Sequence, residues 1–270
     1  MSPRVEPTST LGALVAEEPA RAAVLERLRM DYCCGGAQTL ADACRERGLQ
    51  LDSVLHALAA EPPEVVGDVA GEHRDWGAAS IGELCAHIVG VHHDGLREAF
   101  PRIERLLATV ARVHGGPEHH ELRRLQDGFR ELRAELEPHL ASEEEVLFPA
   151  CRELELGGEP VDEALLAEHE REHATAGDAL KVLRVLGGDY DPATALCTTH
   201  RAVLDELAAF ERDLHRHVHE ENNLLMPRVR ELATERQAQP HRSHEDRDAL
   251  PRCCQGWIAE QAHGWAVHRG

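Results

Sequence analysis

The chain has 270 residues, 42% of them hydrophobic, and its 49 acidic against 29 basic side chains give it a net charge of −20. A chain of this length and hydrophobic content forms a buried core, which excludes an intrinsically disordered protein. The negative charge argues against nucleic acid and against an anionic membrane as partners. No apolar run reaches the roughly 20 residues that a membrane-spanning helix needs.

The composition also bears on fold class and on location. Aromatic residues make up only 3% of the chain, so the core must be built from Leu, Val and Ala, which predicts helices rather than sheets. The start of the chain lacks the long apolar stretch of a signal peptide. We therefore expect a cytoplasmic protein whose eight cysteines are reduced.

Residues 1–60 are predicted to form a small helical domain. Apolar residues recur at helical spacing from Leu11 to Leu28, and the chain then breaks at the sequence DYCCGG, residues 31–36. Two further short helices are expected before residue 60. Because so short a segment forms only a marginal core, we expect this domain to dock on another surface or to dimerise, which would make the protein a homodimer.

Residues 80–233 are predicted to form an antiparallel four-helix bundle. Residues 61–79, with two adjacent prolines and three glycines, are the predicted linker before it. Ser80 and Glu83 form a capping box at the start of the first helix, and Gly-Gly pairs followed by proline separate the later helices. The predicted helices cover about 80–113, 118–156, 161–186 and 193–233. The tail, residues 234–270, is expected either to be disordered or to cap the bundle.

A motif in the second bundle helix recurs in the fourth. His139 and Glu143 are four residues apart, as are His217 and Glu221, and the surrounding sequences PHLASEEEVLFPACREL and RHVHEENNLLMPRVREL align without a gap. Residues four apart share one face of an α-helix, so each helix presents an imidazole beside a carboxylate. One such pair is typical of a surface hydrogen bond, whereas two aligned copies indicate a duplicated site in the bundle core.

The duplication predicts matching ligands on the other two helices. His93 and His173 are 80 residues apart and precede the two motifs by 46 and 44 residues. His169 lies one turn before His173 on the same face, so either could point inward, and the repeat spacing favours His173. Four imidazoles and two bridging carboxylates suit two ions of iron, manganese or zinc. Such a centre leaves positions open to dioxygen, nitric oxide or a solvent-derived oxo group.

Other histidines near the motifs are expected to be exposed. His92 faces about 100° away from its neighbour on the helix. His215 and His219 lie two residues either side of a predicted ligand, on the far side of the helix. His87 and His200 are expected on the surface or in loops.

Three prolines accompany the motifs. Pro149 and Pro227 follow the two motifs at the same offset and are expected to kink or stop their helices. Pro138 directly precedes a predicted ligand, and we expect a kink there that aims or disturbs His139.

Taken together, these motifs resemble the repair of iron centres family of di-iron proteins, whose bundle is hemerythrin-like. The resemblance covers residues 8–233 and rests on DYCCGG, HHDGLREAFP at 92–101, HLASEEEVLFP at 139–149, EHATAGDAL at 172–180 and HVHEENNLLMPR at 217–228. It implies a non-haem, oxo-bridged centre of two iron ions. The ligands it implies are His93, His139, Glu143, His173, His217 and Glu221. It favours His173 over His169, because Ala-Gly at 176–177 follows His173 as in the family.

The resemblance further implies repair of iron–sulfur proteins damaged by nitric oxide or peroxide, through donation of iron. Cys33 and Cys34 lie at a turn that could open a helix, where a thiolate of lowered pKa could pass on iron or nitric oxide. The alternative is that the pair is merely small and buried. Two other functions stay open: a hemerythrin-like sensor or store for dioxygen or nitric oxide, with His169 as a fifth imidazole, and a nitric oxide reductase.

Overall fold

The computed structural model describes residues 5–60 and 76–238. Within these ranges the chain is helical, with an isolated backbone bridge between Thr10 and Thr39 and no strand. The all-α prediction is therefore confirmed. Residues 61–75 of the predicted linker and residues 239–270 of the predicted tail lie outside the described residues. The described part of the chain contains no helix with the length and apolar character to cross a membrane.

The N-terminal segment contains four short α-helices joined by tight turns. Thr10 and Thr39 cap two of them, each accepting a backbone N–H through its side chain. The DYCCGG sequence lies in the loop between the second and third helices, so Cys33 and Cys34 do not open a helix as expected. The helices are α1 (Leu11–Glu17), α2 (Ala22–Arg27), α3 (Leu40–Arg47) and α4 (Leu51–Ala59).

The bundle consists of four long helices, three of which combine two α-helical segments with a π-helical segment between them. Ser80 forms the predicted capping box with Glu83 at its start. The α-helical segments are α5 (Ile81–His87), α6 (Asp94–His114), α7 (Glu121–Ser142), α8 (Phe148–Glu155), α9 (Glu163–Leu186), α10 (Thr198–Glu220) and α11 (Met226–Ala238). Helix α6 packs against α7 and α10, and α7 packs against α9.

The π-helical segments lie where the histidine and glutamate motifs lie. They cover Ile88–His93, Glu143–Leu147 and Glu221–Leu225. In the last two, the backbone N–H five residues on bonds to the carbonyl of Glu143 or Glu221. Short π segments inside α-helices are frequent at functional sites because they shift the side chains that follow.

None of the three prolines ends its helix. The helix stays α-helical through Pro138, and its irregularity comes five residues later, at the π segment. Pro149 and Pro227 neither stop nor end their helices, since α8 and α11 continue beyond them. Each is the second residue after a π segment, where the missing N–H is tolerated because the hydrogen-bond pattern changes there.

Two apolar clusters form the interior. The larger contains the core of the N-terminal segment and the part of the bundle that includes Phe100, Phe129 and Phe210. The smaller contains Phe148 and Met226 with the residues that surround them in α5, α8 and α11. Along α7–α8 and α10–α11, the paired histidines and glutamates fall between residues of the two clusters, so a polar layer separates them.

The N-terminal segment docks on the bundle, which was one of the two expectations for it. Asn223, in the last π segment, donates from Nδ2 to the carbonyl oxygens of Cys33 (2.9 Å) and Tyr32 (3.3 Å). The Tyr32 ring meets His219 edge-on at 5.5 Å between centroids. Gly12 and Gly36 give Asn223 its space, because a Cβ on either would overlap the Asn223 side chain.

Candidate metal centre

The six predicted ligands converge in the polar layer. His93 comes from the first bundle helix, His139 and Glu143 from the second, His173 from the third, and His217 and Glu221 from the fourth. All six are buried, and Glu143 and Glu221 are fully inaccessible to solvent. Two carboxylates in such a place need compensating positive charge, because burying an unpaired ion is strongly unfavourable.

Glu143 faces histidines on two sides. Its Oε1 lies 3.0 Å from Nε2 of His139 and 2.7 Å from Nε2 of His169. The same oxygen is 3.8 Å from Nε2 of His173. Its Oε2 lies 3.2 Å from Nε2 of His93. The two oxygens of this carboxylate therefore face different groups of imidazoles.

Glu221 repeats this arrangement. Its Oε2 lies 2.9 Å from Nε2 of His173 and 3.6 Å from Nε2 of His169. Its Oε1 lies 3.2 Å from Nε2 of His217. Each glutamate thus extends one oxygen toward a three-histidine group (His139, His169 and His173) and the other toward a two-histidine group (His93 and His217).

The donor atoms of both groups fit metal ions better than they fit one another. The Nε2 atoms of the five histidines and all four oxygens of Glu143 and Glu221 are buried, and none has a hydrogen-bond partner. Buried polar atoms in folded proteins are nearly always satisfied, so nine such atoms in one place call for a cation. The ligating atoms of each group lie within 4.8 Å of one another, and imidazole with carboxylate suits iron, manganese or zinc.

Charge in the site favours cation binding. Burial would raise the pKa of Glu143, but the surrounding imidazoles hold it well below its usual value. Burial and the charge of Glu143 would raise the pKa of Glu221, and His217 with the neighbouring imidazoles holds it well below its usual value too. Both carboxylates are therefore ionised at neutral pH, the state that a metal ion requires.

A second layer of contacts orients the imidazoles. Nδ1 of His93 lies 2.7 Å from Oε1 of Glu144, and Nδ1 of His173 lies 2.9 Å from Oδ1 of Asn222. Glu144 and Asn222 each directly follow one of the two central glutamates, so the internal repeat extends beyond the ligating atoms. Partners on the outer ring nitrogen fix the tautomer that presents Nε2 to a metal.

His169 lies inward together with His173, whereas the sequence interpretation favoured one of the two. It is buried, its ring stacks on His139 at 4.5 Å, and its Nε2 makes the shortest contact to Glu143. The repeat could not find it, because the matching position 80 residues earlier is Val89. The signal that could have found it is its four-residue spacing from His173, which gives both a place on the inner face.

The expectation that the neighbouring histidines are exposed was wrong for three of them. His92, His200 and His219 are buried. His92 packs against the His217 ring, and His219 packs against Tyr32 of the N-terminal segment. His200 accepts the Leu196 N–H at the start of α10. His87 and His215 are only partly exposed.

Two families of known proteins match parts of this chain. The Hemerythrin HHE cation binding domain family matches residues 86–229, and a family described as a domain of unknown function (DUF542) matches residues 7–61. Proteins named iron-sulfur cluster repair protein YtfE are similar over nearly their whole length. The protein from Dickeya chrysanthemi (strain Ech1591) is 34% identical over 223 residues, which are 82% of this chain and 96% of that protein. This chain belongs to the YtfE family of iron–sulfur cluster repair proteins.

Two further YtfE proteins show the same relationship. The one from Edwardsiella ictaluri (strain 93-146) is 35% identical over 219 residues, 81% of this chain and 95% of that protein. The one from Escherichia coli O81 (strain ED1a) is 32% identical over 222 residues, 81% of this chain and 95% of that protein. The resemblance to a repair family with a hemerythrin-like bundle is therefore confirmed.

The cysteine loop of this family member adjoins the polar layer. Sγ of Cys34 lies 3.5 Å from the backbone carbonyl oxygen of His173 and 3.9 Å from Sγ of Cys33. Asp31 accepts the N–H groups of Cys34 and Gly35, which holds the loop in shape. The Cys33 side borders a cavity of about 410 Å³, also lined by Asp31, Lys181 and Arg184. The two thiols therefore lie between the polar layer and this cavity.

The two thiols differ in acidity. A hydrogen bond from Cys33 lowers the pKa of Cys34, and the His173 side chain contributes in the same direction against the effect of burial. The pKa of Cys33 is raised well above its usual value by that same hydrogen bond and by burial. Cys34 is therefore the more readily ionised of the pair, and a thiolate is the form that binds metal.

Proposed function

We propose that this protein holds two iron ions in the polar layer and repairs damaged iron–sulfur clusters by donating iron to them. The observation that supports this most strongly is the arrangement of Glu143 and Glu221. Each carboxylate has one oxygen toward the three-histidine group and one toward the two-histidine group. Two carboxylates placed between unequal histidine groups would hold two ions, one in each group. The names of the YtfE relatives supply the substrate class, a damaged iron–sulfur protein.

The proposed ligands are His139, His169 and His173 for one ion, and His93 and His217 for the other, with Glu143 and Glu221 shared. When bound, the two ions would supply open coordination positions for small ligands and access to the ferrous and ferric states. The protein supplies the rest. Glu144, Asn222 and Glu172 orient three of the imidazoles, and the apolar clusters on either side exclude water.

The cysteine loop supplies a path outward. Cys34 contacts the backbone of a proposed ligand, and Cys33 borders the cavity on the outer side. In this proposal Cys34, as a thiolate, would hold iron on its way out of the three-histidine group, and Cys33 with Asp31 would complete that holding site beside the cavity. Their ligand atoms lie within 4.8 Å of one another, close enough to hold one ion in common.

The test uses the full-length protein loaded anaerobically with ferrous iron and an enzyme whose [4Fe–4S] cluster has been destroyed by nitric oxide. The loaded protein is expected to restore the activity of that enzyme faster than the same amount of free ferrous iron. A matched pair of variants separates the loss of bound iron from unspecific effects of changing a carboxylate. Glu221→Ala is expected to lose the iron of the polar layer and the repair, whereas Glu98→Gln, which changes an exposed carboxylate on α6, is expected to keep both. Equal repair by loaded protein and by free iron would contradict the proposal.

A second candidate function is reversible binding of dioxygen or nitric oxide, and His169 is the observation that favours it. A fifth imidazole makes the two metal environments unequal and leaves more open positions at the two-histidine ion. In His169→Leu, a binding protein would lose or shift the absorption band of its oxygen or nitric oxide adduct. A repair protein would keep restoring the damaged enzyme as long as both irons stay bound. Iron content measured on the same samples distinguishes these results.

A further inference from the structure

A second cluster of possible ligands lies beside the two-histidine group. His87, His92 and Glu220 come from two bundle helices and direct ring nitrogens toward one carboxylate oxygen. Nε2 of His87 lies 3.3 Å from Oε2 of Glu220, and Nε2 of His92 lies 3.5 Å from the same oxygen. One ligand atom from each of the three lies within 4.8 Å of the other two.

The cluster belongs to neither proposed iron position. His92 and Glu220 directly precede the ligands His93 and Glu221 in the chain, and His87 lies six residues before His93, but the donor atoms of the three form a group of their own. The His92 ring stacks on His217 with 5.7 Å between centroids and 15° between planes, so an imidazole separates the two sites. The internal repeat does not extend here, since Ser142 occupies the position that matches Glu220.

Two atoms in the cluster are buried without a partner. Nε2 of His92 and Oε2 of Glu220 have no hydrogen bond, and His92 is only 4% exposed. Nδ1 of His92 lies 2.8 Å from Oδ1 of Asp213. Nε2 is then the ring nitrogen that faces Glu220, and a carboxylate behind the histidine is the usual support of a metal-bound imidazole.

The spacing fits one first-row ion. Ligands at about 2.0–2.1 Å from a tetrahedral metal are roughly 3.3–3.4 Å apart. The observed separations of 3.3 and 3.5 Å match this, whereas a direct N–H···O hydrogen bond has its optimum near about 2.9 Å. Two histidines and one glutamate form the protein part of catalytic zinc sites and of mononuclear ferrous sites, and both leave a position open.

The cluster is accessible from outside. The side chains of His87 and Glu220 are 19% and 14% exposed, and Trp76 covers His87 with its ring stacked at 3.8 Å. Trp76 and Glu220 also line a cavity of about 440 Å³, together with Glu17, Glu18 and Arg216.

We propose that His87, His92 and Glu220 form a third metal site, mononuclear and separate from the two-iron centre, that binds one divalent first-row cation. Asp213 positions His92, and Trp76 packs over the side of the site that faces solvent. The repair function is not needed for this site to exist, since its ligands are independent of Glu143 and the five central histidines.

The test is a count of bound Co²⁺ in the full-length protein under anaerobic conditions. The variants are His87→Gln, Glu220→Gln and, as a matched control on the same cavity wall, Glu18→Gln. We expect His87→Gln and Glu220→Gln to bind one ion fewer than the wild type, and Glu18→Gln to bind the same number. The test compares the number of bound ions in the variant with the number in the wild type. The comparison is therefore valid for any number of ions in the central site.

Fluorescence adds an independent readout. Co²⁺ bound to His87 would quench Trp76, and the quenching phase is expected to disappear in His87→Gln. Trp76→Phe should lose the quenching but keep the wild-type number of ions. Because Glu220 adjoins a central ligand, the ion count of His87→Gln is the deciding one if Glu220→Gln loses additional metal. An unchanged number of ions in His87→Gln overturns the proposal.

Discussion

Sγ of Cys34 lies 3.5 Å from the backbone carbonyl oxygen of His173, so the DYCCGG loop contacts the third bundle helix at a proposed ligand. Residues 139 positions apart in the chain meet there. The contact exists because Asn223 and the two glycines opposite it hold the N-terminal segment against the bundle. The cysteines are therefore held in place by docking and not only by their own loop.

The first prediction concerns the cysteines. In Cys34→Ser, both irons are expected to stay bound, because no central ligand changes. Transfer of iron to a damaged cluster is expected to slow by about tenfold or more, equivalent to about 1.4 kcal/mol in the barrier, since a hydroxyl does not supply the thiolate. The measurement is the rate of cluster restoration at equal iron content. Cys197→Ser is the control, because this cysteine caps α10 and serine caps a helix equally well. Equal rates in Cys34→Ser and wild type would remove the cysteine from the path.

The second prediction concerns docking. A Cβ added at Gly12 would overlap Oδ1 of Asn223 and lie 2.7 Å from its Cγ, so Gly12→Ala is expected to destabilise the protein even though alanine favours a helix. Asn223→Ala removes two hydrogen bonds to backbone carbonyls and is expected to cost about 1–3 kcal/mol. The double variant should be more stable than the sum of the two losses predicts, because the clash is gone. Denaturant unfolding of all four proteins measures this coupling, and strictly additive losses would show that the two residues do not meet.

The third prediction concerns a buried ion pair in the bundle. Arg184 donates from Nε to Oε1 of Glu211 at 2.9 Å, and Glu211 is 3% exposed. Arg184→Met leaves that carboxylate buried without its cation, so we expect a loss of roughly 3 kcal/mol in the free energy of unfolding. Adding Glu211→Leu should restore most of it. Lys181→Met is the control, since its pair with Asp178 is exposed and worth less than about 1 kcal/mol. A loss of similar size in Lys181→Met would attribute the effect to surface charge instead.

The fourth prediction concerns removal of the metal. Without a cation, Glu143 and Glu221 stay buried near each other, so the chelated protein is expected to unfold at a lower temperature than the loaded one. At free iron 100 times the dissociation constant, each bound ion adds about 2.7 kcal/mol to the stability of the folded state. Anaerobic calorimetry of loaded and chelated samples measures the difference. Glu221→Ala should show a smaller difference in unfolding temperature between the two samples than the wild type. If chelation left the unfolding temperature of the wild-type protein unchanged, this would contradict the two-iron centre.

Much of the fold could be predicted from the sequence, because glycine pairs followed by proline mark the ends of the long helices. An internal sequence repeat predicted that two glutamates lie among four histidines, His93, His139, His173 and His217. His169 breaks that repeat, which is why symmetry ranked it low. The burial of His92 and His219 does not follow from their angle to the ligands, because a bundle helix can bury more than one face. The fourth helix has two, since it also packs against the first helix and the N-terminal segment.

The π segments had no clear sequence signal. They depend on a change of hydrogen-bond partner from the fourth to the fifth residue, and the same side chains can accompany either pattern. The prolines at 149 and 227 are compatible with them but also with an ordinary kink. The docking of the N-terminal segment was likewise beyond the sequence, because its key donor, Asn223, lies in one of those segments and meets residues about 190 positions away.

The π segments at Glu143–Leu147 and Glu221–Leu225 also set the angular phase of two helices. Each wide turn holds one residue more than an α-helical turn, and one residue corresponds to about 100° of rotation and about 1.5 Å of rise. Deleting a single residue from either segment would therefore rotate everything after it. Cys151 and Leu154, or Val229 in the other helix, would turn out of the smaller apolar cluster. Each helix therefore consists of two parts with different angular phases, and the phase changes at the glutamate. This lets one continuous helix direct ligands into the polar layer and, further along, apolar side chains into the smaller cluster.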